Sequence, residues 1–558
     1  MSKQLKIFCV NLGEYIPFDG GETLDEIFRR LSPRMPGLQP ICARVNNKTE
    51  DLHYPVFAPK QVEFLDATSP SGARVYSRSL CMLLYKALDD LYPATRLRIE
   101  HSMAGGYYCR LFKGQEVTPE VIARLRDRMH EIVALDLEFE RKERLTRDVI
   151  EIFRRQGLND KVRLLSTIHD LYTVYYRLGD RLCDSYCGNL APRTSMLRVF
   201  DLTPYKEGFL LMGPDPADPS RVAPPVRADK MYAAFTEHLR FNHTIGVRNV
   251  GELNMAVERG DSSTLINVAE AMHTKYISRI ADEITDRFQR GGAKIVLIAG
   301  PSSSGKTTFA KRLGVQLMTN LVKPRLISLD NYFVNRVDTP RDSDGDYDYE
   351  SLYALDLKLF NSDLNRLIAG EEVELPTYNF ERGEREFRGD RISLGDDTIL
   401  LIEGIHGLNP ELTAQVEERM KYRVYVSALT TLAIDDHNWI PTTDNRLLRR
   451  IIRDHQYRGV SATDTIRRWP SVRRGEDRWI FPYQENADSM FNSSLLFELA
   501  VIKEYAERLL RTVPRDVVEF GEAWRLISFL SVFTPVEAKN IPPTSLLREF
   551  LGGSSFHY

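Results

Sequence analysis

The chain has 558 residues, 43% of them hydrophobic and 27% charged, with a formal net charge of -3. At about 150 residues per domain that length supports three or four domains and excludes one compact core. The near-neutral balance gives no global drive toward nucleic acid, membrane or an acidic partner, so any basic surface must be local.

The six cysteines (Cys9, Cys42, Cys81, Cys109, Cys183 and Cys187) fall within the first third and lack the spacing of paired zinc-binding motifs. They read as reduced thiols of a cytosolic protein, not as a disulfide framework. The start, "MSKQLKIFCVNLGEYIPF", has no long apolar stretch, and the longest apolar runs, "IVLIA" and "ILLI", are strand-sized. The expectation is a cytoplasmic protein with no signal peptide and no membrane span.

In chain order, residues 1–66 alternate short β-like runs ("LKIFCV", "ICARV", "VEFLD") with one amphipathic stretch, "TLDEIFRRL", whose Leu24, Ile27, Phe28 and Leu31 share a helical face. A Thr-Ser-Pro-Ser-Gly run at 68–72 opens a second segment, 67–213, that mixes helical patterns with short strands and reads as α+β. The proline-rich "PDPADPSRVAPP" at 214–225 marks a linker, and 214–285 continues into a long helix begun by Asp261 and Ser262. From 286 to 558 strands and helices alternate, which implies a mainly parallel sheet.

Within that last segment, "KIVLIA" is followed by Gly300, four residues, Gly305, Lys306 and Thr307, and then by a helical pattern with Phe309, Leu313 and Leu317. Strand, glycine-rich loop and helix together are the setting of a P-loop. Gly300, Ser302, Ser303, Ser304, Gly305, Lys306, Thr307 and Thr308 are the nucleotide-binding candidates, with backbone N–H groups on the phosphates, Lys306 as a mobile charge and the Thr307 hydroxyl on Mg²⁺.

Two further apolar strands end on acids. "PRLISLD" ends on Asp330, a candidate proton acceptor or else a turn cap, and "TILLIEG" presents Glu403, a candidate Mg²⁺ ligand. "RLLRRIIRDHQYRG" then sets Arg446, Arg449, Arg450 and Arg453 at three- and four-residue steps, suited to phosphate recognition by a closing lid or to a solvated helix face.

The ordered set "GPSSSGKTT", "SLDNYF", "DYDY", "LPTYNF", "LIEGIHGL", "RRIIRDHQYRG" and "PYQENAD" resembles the uridine kinase and phosphoribulokinase group of P-loop kinases over roughly residues 290 to 500. The resemblance implies ATP or GTP with Mg²⁺ and a small-molecule nucleoside acceptor, uridine or cytidine giving the 5′-monophosphate. It implies Asp330 as catalytic base beside Lys306 and Arg453, Asp348 as ribose-hydroxyl acceptor, Tyr378 beside the nucleobase, and Arg450 and Arg458 on the substrate. Two positions depart from the pattern: Gly383 stands where a base-contacting histidine is common, and Val460 where "RGR" is usual. Both remove polar readers of uracil, so another sugar-like alcohol stays open as acceptor.

The first segment resembles a TGS domain through "GETLDEIFRRL" and "ARVNNKTEDLHYPV", and the second resembles the editing-type domain of threonyl-tRNA synthetase through "YSRSLCMLLYKALDDLYPATRLRIEHSMAGGYYCRL". Where that domain carries two histidines on its helix this chain has Tyr76 and Leu80, and its later pair is at best Cys187 with Ala191. Leucine ligates no metal, so no zinc is expected, editing chemistry is read as lost, and His101, Cys183 and Cys187 are read as structural.

The fold class expected is α/β: a P-loop kinase domain with a mainly parallel sheet, preceded by a small β-grasp domain and an α+β domain. RNA contact by the front half and a homo-oligomeric state are the further expectations. A nucleotide-dependent RNA- or ribosome-binding switch is the competing reading, but "NRVD" at 335–338 comes too early for a guanine-reading motif and "DSDG" at 342–345 follows no apolar strand. The last residues, "LREFLGGSSFHY", read as a free end or a docking tail.

Overall fold

The computed structural model describes residues 5–342 and 345–557, so "DSDG" lies partly outside the described residues. Its first sheet runs in the order Glu14–Pro17, Lys6–Cys9, Gln61–Leu65, Cys42–Val45, Lys48–Glu50, with only the Lys6–Cys9 and Gln61–Leu65 pair parallel. The helix Leu24–Leu31 is started by a capping box: the Thr23 hydroxyl accepts from the Glu26 amide at 3.3 Å and the Glu26 carboxylate accepts from the Thr23 amide at 2.8 Å. Leu24, Ile27 and Leu31 enter the core, while Phe28 is half-buried on the ring of Phe64. This is the β-grasp arrangement.

Next, the long helix Pro70–Leu91 packs with two antiparallel sheets. One holds Asp201–Tyr205, Gly208–Met212, Gly106–Phe112 and Arg96–Met103, the other Leu182–Asp184, Tyr172–Leu178 and Phe139–Leu145. Tyr76 and Leu80 are core residues of that helix. The Tyr76 hydroxyl bridges the carbonyl and amide of Val199 at 3.1 and 2.9 Å, and Leu80 is 1% exposed. The proline-rich stretch carries only one isolated bridge, Pro214 with Val222, and leads to the helices Asp229–Ile245, Val250–Glu258 and Ser262–Gln289. Asp261 stands at the start of the last helix without a capping bond from its side chain.

The remaining part is built on a fully parallel five-stranded sheet in the order Lys323–Ser328, Thr398–Glu403, Ile295–Ala299, Lys421–Ser427, Ser489–Asn492. Ile295–Ala299 is central and wholly buried, as a strand covered on both faces must be, and each large side chain contributes about 1.5–3 kcal/mol. Helices Ser262–Gln289 and Lys306–Thr319 cover one face, and Leu352, Phe360, Leu364 and Leu367 cover the other. Register pairs Ile298 and Ser328 with Glu403, so three carboxyl ends meet at one edge. Among the described residues no helix is long and apolar enough to cross a membrane.

A loop of this last part docks into the second. Between Lys421–Ser427 and the helix Thr442–Arg458, the His437 Nδ1 lies 2.8 Å from Asp184, Lys161 Nζ lies 2.9 Å from both Asp184 and Asp435, and the Trp439 ring packs at a tilt against Tyr107. The side chains of Lys161, Asp184, Asp435 and His437 are all at most 3% exposed. Burial alone would raise the Asp184 carboxyl, but Lys161 and His437 pull it well below its usual range. Removing one partner of such a dry network costs about 3–5 kcal/mol. Lys161→Met is expected to lose that much in urea unfolding, and a loss no larger than a surface substitution gives would contradict a dry, paired cluster.

Candidate functional site

The phosphate loop leaves the central strand at the carboxyl edge of the sheet and turns into the helix Lys306–Thr319. Two positions force its glycines. A Cβ on Gly300 would stand 2.0 Å from the Val426 carbonyl, and Gly305 takes φ +85°. Ser303 is also left-handed, at φ +57°. The hydroxyls of Ser303 and Ser304 are buried without a hydrogen-bond partner, and Lys306 Nζ donates to the Pro301 carbonyl at 3.2 Å.

The loop is held from behind by the helices Thr442–Arg458 and Ala462–Trp479. Arg446 Nε donates to the Ser302 carbonyl at 3.1 Å, Arg449 to the Ser303 carbonyl at 3.4 Å, and Arg450 to the Ser302 hydroxyl at 2.7 Å. Glu476 accepts from the Ser302 amide at 3.0 Å while pairing with Arg446, and Arg449 pairs with Glu498. Arg446 and Arg449 are thus fully buried braces of the loop, not groups of an open lid. Arg450, Arg453 and Arg458 instead gather on Asp454, at 3.2, 2.8 and 3.5 Å. Burial works against that carboxylate, but the three guanidinium groups outweigh it and hold its pKa low.

At the acid-bearing strand ends, Glu403 Oε1 accepts from the Ser328 hydroxyl at 3.1 Å and from the Thr307 hydroxyl at 3.4 Å. Burial, then the Asp330 carboxylate, push Glu403 up to about 7, against the pull of Lys306. Asp330 follows in the turn Leu329–Tyr332. Asp330 is exposed at the rim of the site; the protein packed around it displaces solvent and raises its carboxyl, opposed by Lys306, Arg458 and Arg453. Lys306, Asp330, Glu403, Arg453 and Arg458 therefore share one field. Glu350 joins it without any sequence signal, pushed up to about 7 by burial and by Glu476.

Asp348 and Tyr378 lie on other segments. Asp348 accepts from the Glu350 amide at 3.2 Å, and burial raises its carboxyl. Tyr378 sits on the hairpin Val373–Asn379/Glu384–Ile392, packed against Phe333 and Phe380 at ring distances of 5.5 and 5.1 Å. Phe333 also meets Tyr349, which meets Tyr347, so five aromatic rings form one cluster, of which the sequence singled out only Tyr378. Gly383 takes φ +72°, and a Cβ there would meet Arg336 Nε at 2.7 Å; Arg336 fills the space beside it.

The donor set fits Mg²⁺ held through a bound phosphate. Thr307 offers a hydroxyl and Glu403 a carboxylate, and among the described residues no group of three or more His, Cys, Asp or Glu forms an all-protein metal cage. Mg²⁺ usually takes one or two protein ligands with phosphate oxygens and water. The orphaned hydroxyls of Ser303 and Ser304 fit phosphate oxygens in the same loop.

A glycine-bent loop between a central parallel strand and a helix, flanked by acid-tipped strands, defines the P-loop class of nucleotide-binding folds. Within that class, residues 295–496 match the model of the Phosphoribulokinase / Uridine kinase family, so this part of the chain is a domain of that family. A uridine kinase of Halobacterium salinarum is 28% identical over 192 residues, 34% of this chain and 76% of that protein. The N-terminal part is homologous to threonine–tRNA ligase: that of Rubrobacter xylanophilus is 30% identical over 190 residues, 34% of this chain and 29% of the ligase. The chain spans less than a third of the length of the ligases it matches. A solved structure described as a possible uridine kinase from Bacillus stearothermophilus is 21% identical and covers 38% of this chain and 100% of its own, at a TM-score of 0.24.

Glu403 yields a pH signature. Its folded pKa of about 7 lies above the ordinary 4.5, so its favourable contribution is present below about pH 4.5 and lost as pH rises through about 7. At about 1.36 kcal/mol per unit, Glu403→Gln without nucleotide or Mg²⁺ is expected to gain up to roughly 3 kcal/mol over the parent at pH 8 and little at pH 5. Urea unfolding at the two pH values checks this; equal differences at both would contradict it.

Proposed function

We propose that residues 286–558 form a kinase domain that transfers the γ-phosphoryl group of ATP or GTP to the 5′-hydroxyl of a nucleoside, uridine or cytidine first. The observation that carries the reading is the shared field of Lys306, Asp330 and Glu403 where three parallel strands end beside the loop. The loop amides and Lys306 hold the donor phosphates, and Thr307 and Glu403 hold Mg²⁺, which neutralises charge on the phosphates when bound. Asp330, exposed at the strand end where an acceptor can reach it and close to Lys306, accepts the proton of the attacking hydroxyl. Arg453 stabilises the transferring group, with Arg450 and Arg458 on the substrate.

The aromatic cluster around Tyr378 serves as platform for a nucleobase and Asp348 as acceptor for a ribose hydroxyl. Arg336, standing beside Gly383, favours an acceptor with polar or anionic groups at that end. That observation keeps a second reading, another sugar-like alcohol, in play. For the front half (1–66 and 67–213, joined through 214–285) we infer an RNA contact, supported by the homology to threonine–tRNA ligase; a groove of about 500 Å³ beside it carries Arg96 and Lys113 together with Arg98 and Arg110, which are paired with Asp436 and Glu100 of the same groove.

With uridine and cytidine as acceptors the expected product is the 5′-monophosphate. Asp330→Asn is expected to lower kcat by about 10²–10⁴-fold while leaving the affinity for Mg·ATP nearly unchanged. Near-parental kcat in this variant would remove Asp330 as base. Transfer by the parent protein only to non-nucleoside alcohols would replace the first reading by the second.

A further inference from the structure

The segment at the end of the described chain is docked on the phosphate loop. Its short helix Arg548–Leu551 is anchored by Arg548, which donates to the carbonyls of Ala538 and Ile541 at 3.0 and 2.7 Å. Leu546 is fully buried against Gly305, where a Cβ would stand 2.5 Å from its Cδ2. The Phe550 ring lies under the Arg449 guanidinium at 5.0 Å. Between them Glu549, 8% exposed, accepts from the Thr308 hydroxyl at 2.5 Å and from the Thr308 amide at 3.3 Å.

Thr308 is the third residue of the helix that follows the loop. Its amide is one of the first-turn donors that no helical carbonyl takes, and in a loop of this pattern those donors receive the phosphates. A carboxylate offers that amide what a phosphate offers: negative charge and acceptor oxygens at a helix N-terminus. Among the described residues, Lys311 near Glu549 favours an anion there and Glu403 opposes one. Two anions do not share one amide, and at this range they repel.

We propose that Glu549 is a built-in competitor of the phosphate donor. With the segment docked, the Thr308 amide and hydroxyl are taken by this carboxylate; a nucleoside polyphosphate that uses the same amide must displace Glu549, and with it the segment 546–553. The inference rests on the reading above that the loop holds the donor. Apparent donor affinity is then the intrinsic affinity reduced by the fraction of molecules whose segment is undocked.

The test is full-length protein carrying Glu549→Gln, compared with the parent for binding of Mg·ADP and Mg·ATP by calorimetry. Amide hydrogen exchange of residues 546–553 is followed with and without saturating nucleotide. The competitor predicts about tenfold tighter binding by the variant and faster exchange of the segment in the parent when nucleotide is added. A plain helix cap predicts equal or weaker binding and a segment that stays protected, and that result would overturn the proposal. Should the variant fail to fold, the exchange measurement on the parent decides alone. Absence of nucleotide binding by both proteins would overturn this proposal together with the kinase reading. Binding without transfer to any alcohol would sink only the acceptor assignment, the competitor being judged on binding and exchange.

Discussion

The rest of the kinase part depends on the hold that buried charges keep on the phosphate loop. A loop whose amides face a phosphate has few internal hydrogen bonds to define it, and its left-handed residues carry strain that something outside must offset. Here Glu476 takes the Ser302 amide, Arg446 and Arg449 take the carbonyls of Ser302 and Ser303, and each arginine is paired with a buried glutamate. Charged pairs at this depth are costly to desolvate and gain only with full satisfaction, so they fix geometry more than they add stability. Donors fixed in advance need no reorganisation when charge develops on a bound phosphate.

The same helix carries a second function of position. It begins just after the 435–439 loop, whose Asp435 and His437 are locked to Lys161 and Asp184 of the second segment. The arginine brace is therefore continuous in the chain with the junction to the front half. A further tie runs from the front half to the helix Phe520–Leu530, where Arg74 of the helix Pro70–Leu91 pairs with Glu522 and Lys48 of the first sheet lies over Trp524.

Much of this was legible in the sequence because its signals are local. The loop pattern needs only adjacent residues, the acids at 330 and 403 close apolar runs of strand length, and the face of Leu24, Ile27, Phe28 and Leu31 is spelled within eight residues. Glu476, Glu350 and Glu549 were invisible for the opposite reason. Each reaches the loop or its field from a distant segment, with no spacing to mark it and nothing in residue type to separate it from a surface glutamate. Arg446 and Arg449 were legible as a cluster, but periodicity gives a helical face and not what that face packs against. Likewise Gly383 was visible as a departure, while Arg336 beside it depends on a turn that folds 47 residues of chain back on itself.

The central claim is that loop, acids and arginines frame one transferring phosphate at the carboxyl edge of the parallel sheet. A crystal structure of the full chain with Mg²⁺ and a non-hydrolysable ATP analogue tests it most directly. The account predicts Lys306 Nζ on the terminal phosphates, Mg²⁺ on the Thr307 hydroxyl, and the Asp330 carboxylate facing the γ-phosphorus from the open side. An analogue bound away from residues 300–308, or a γ-phosphate faced by some carboxylate other than Asp330, would contradict it.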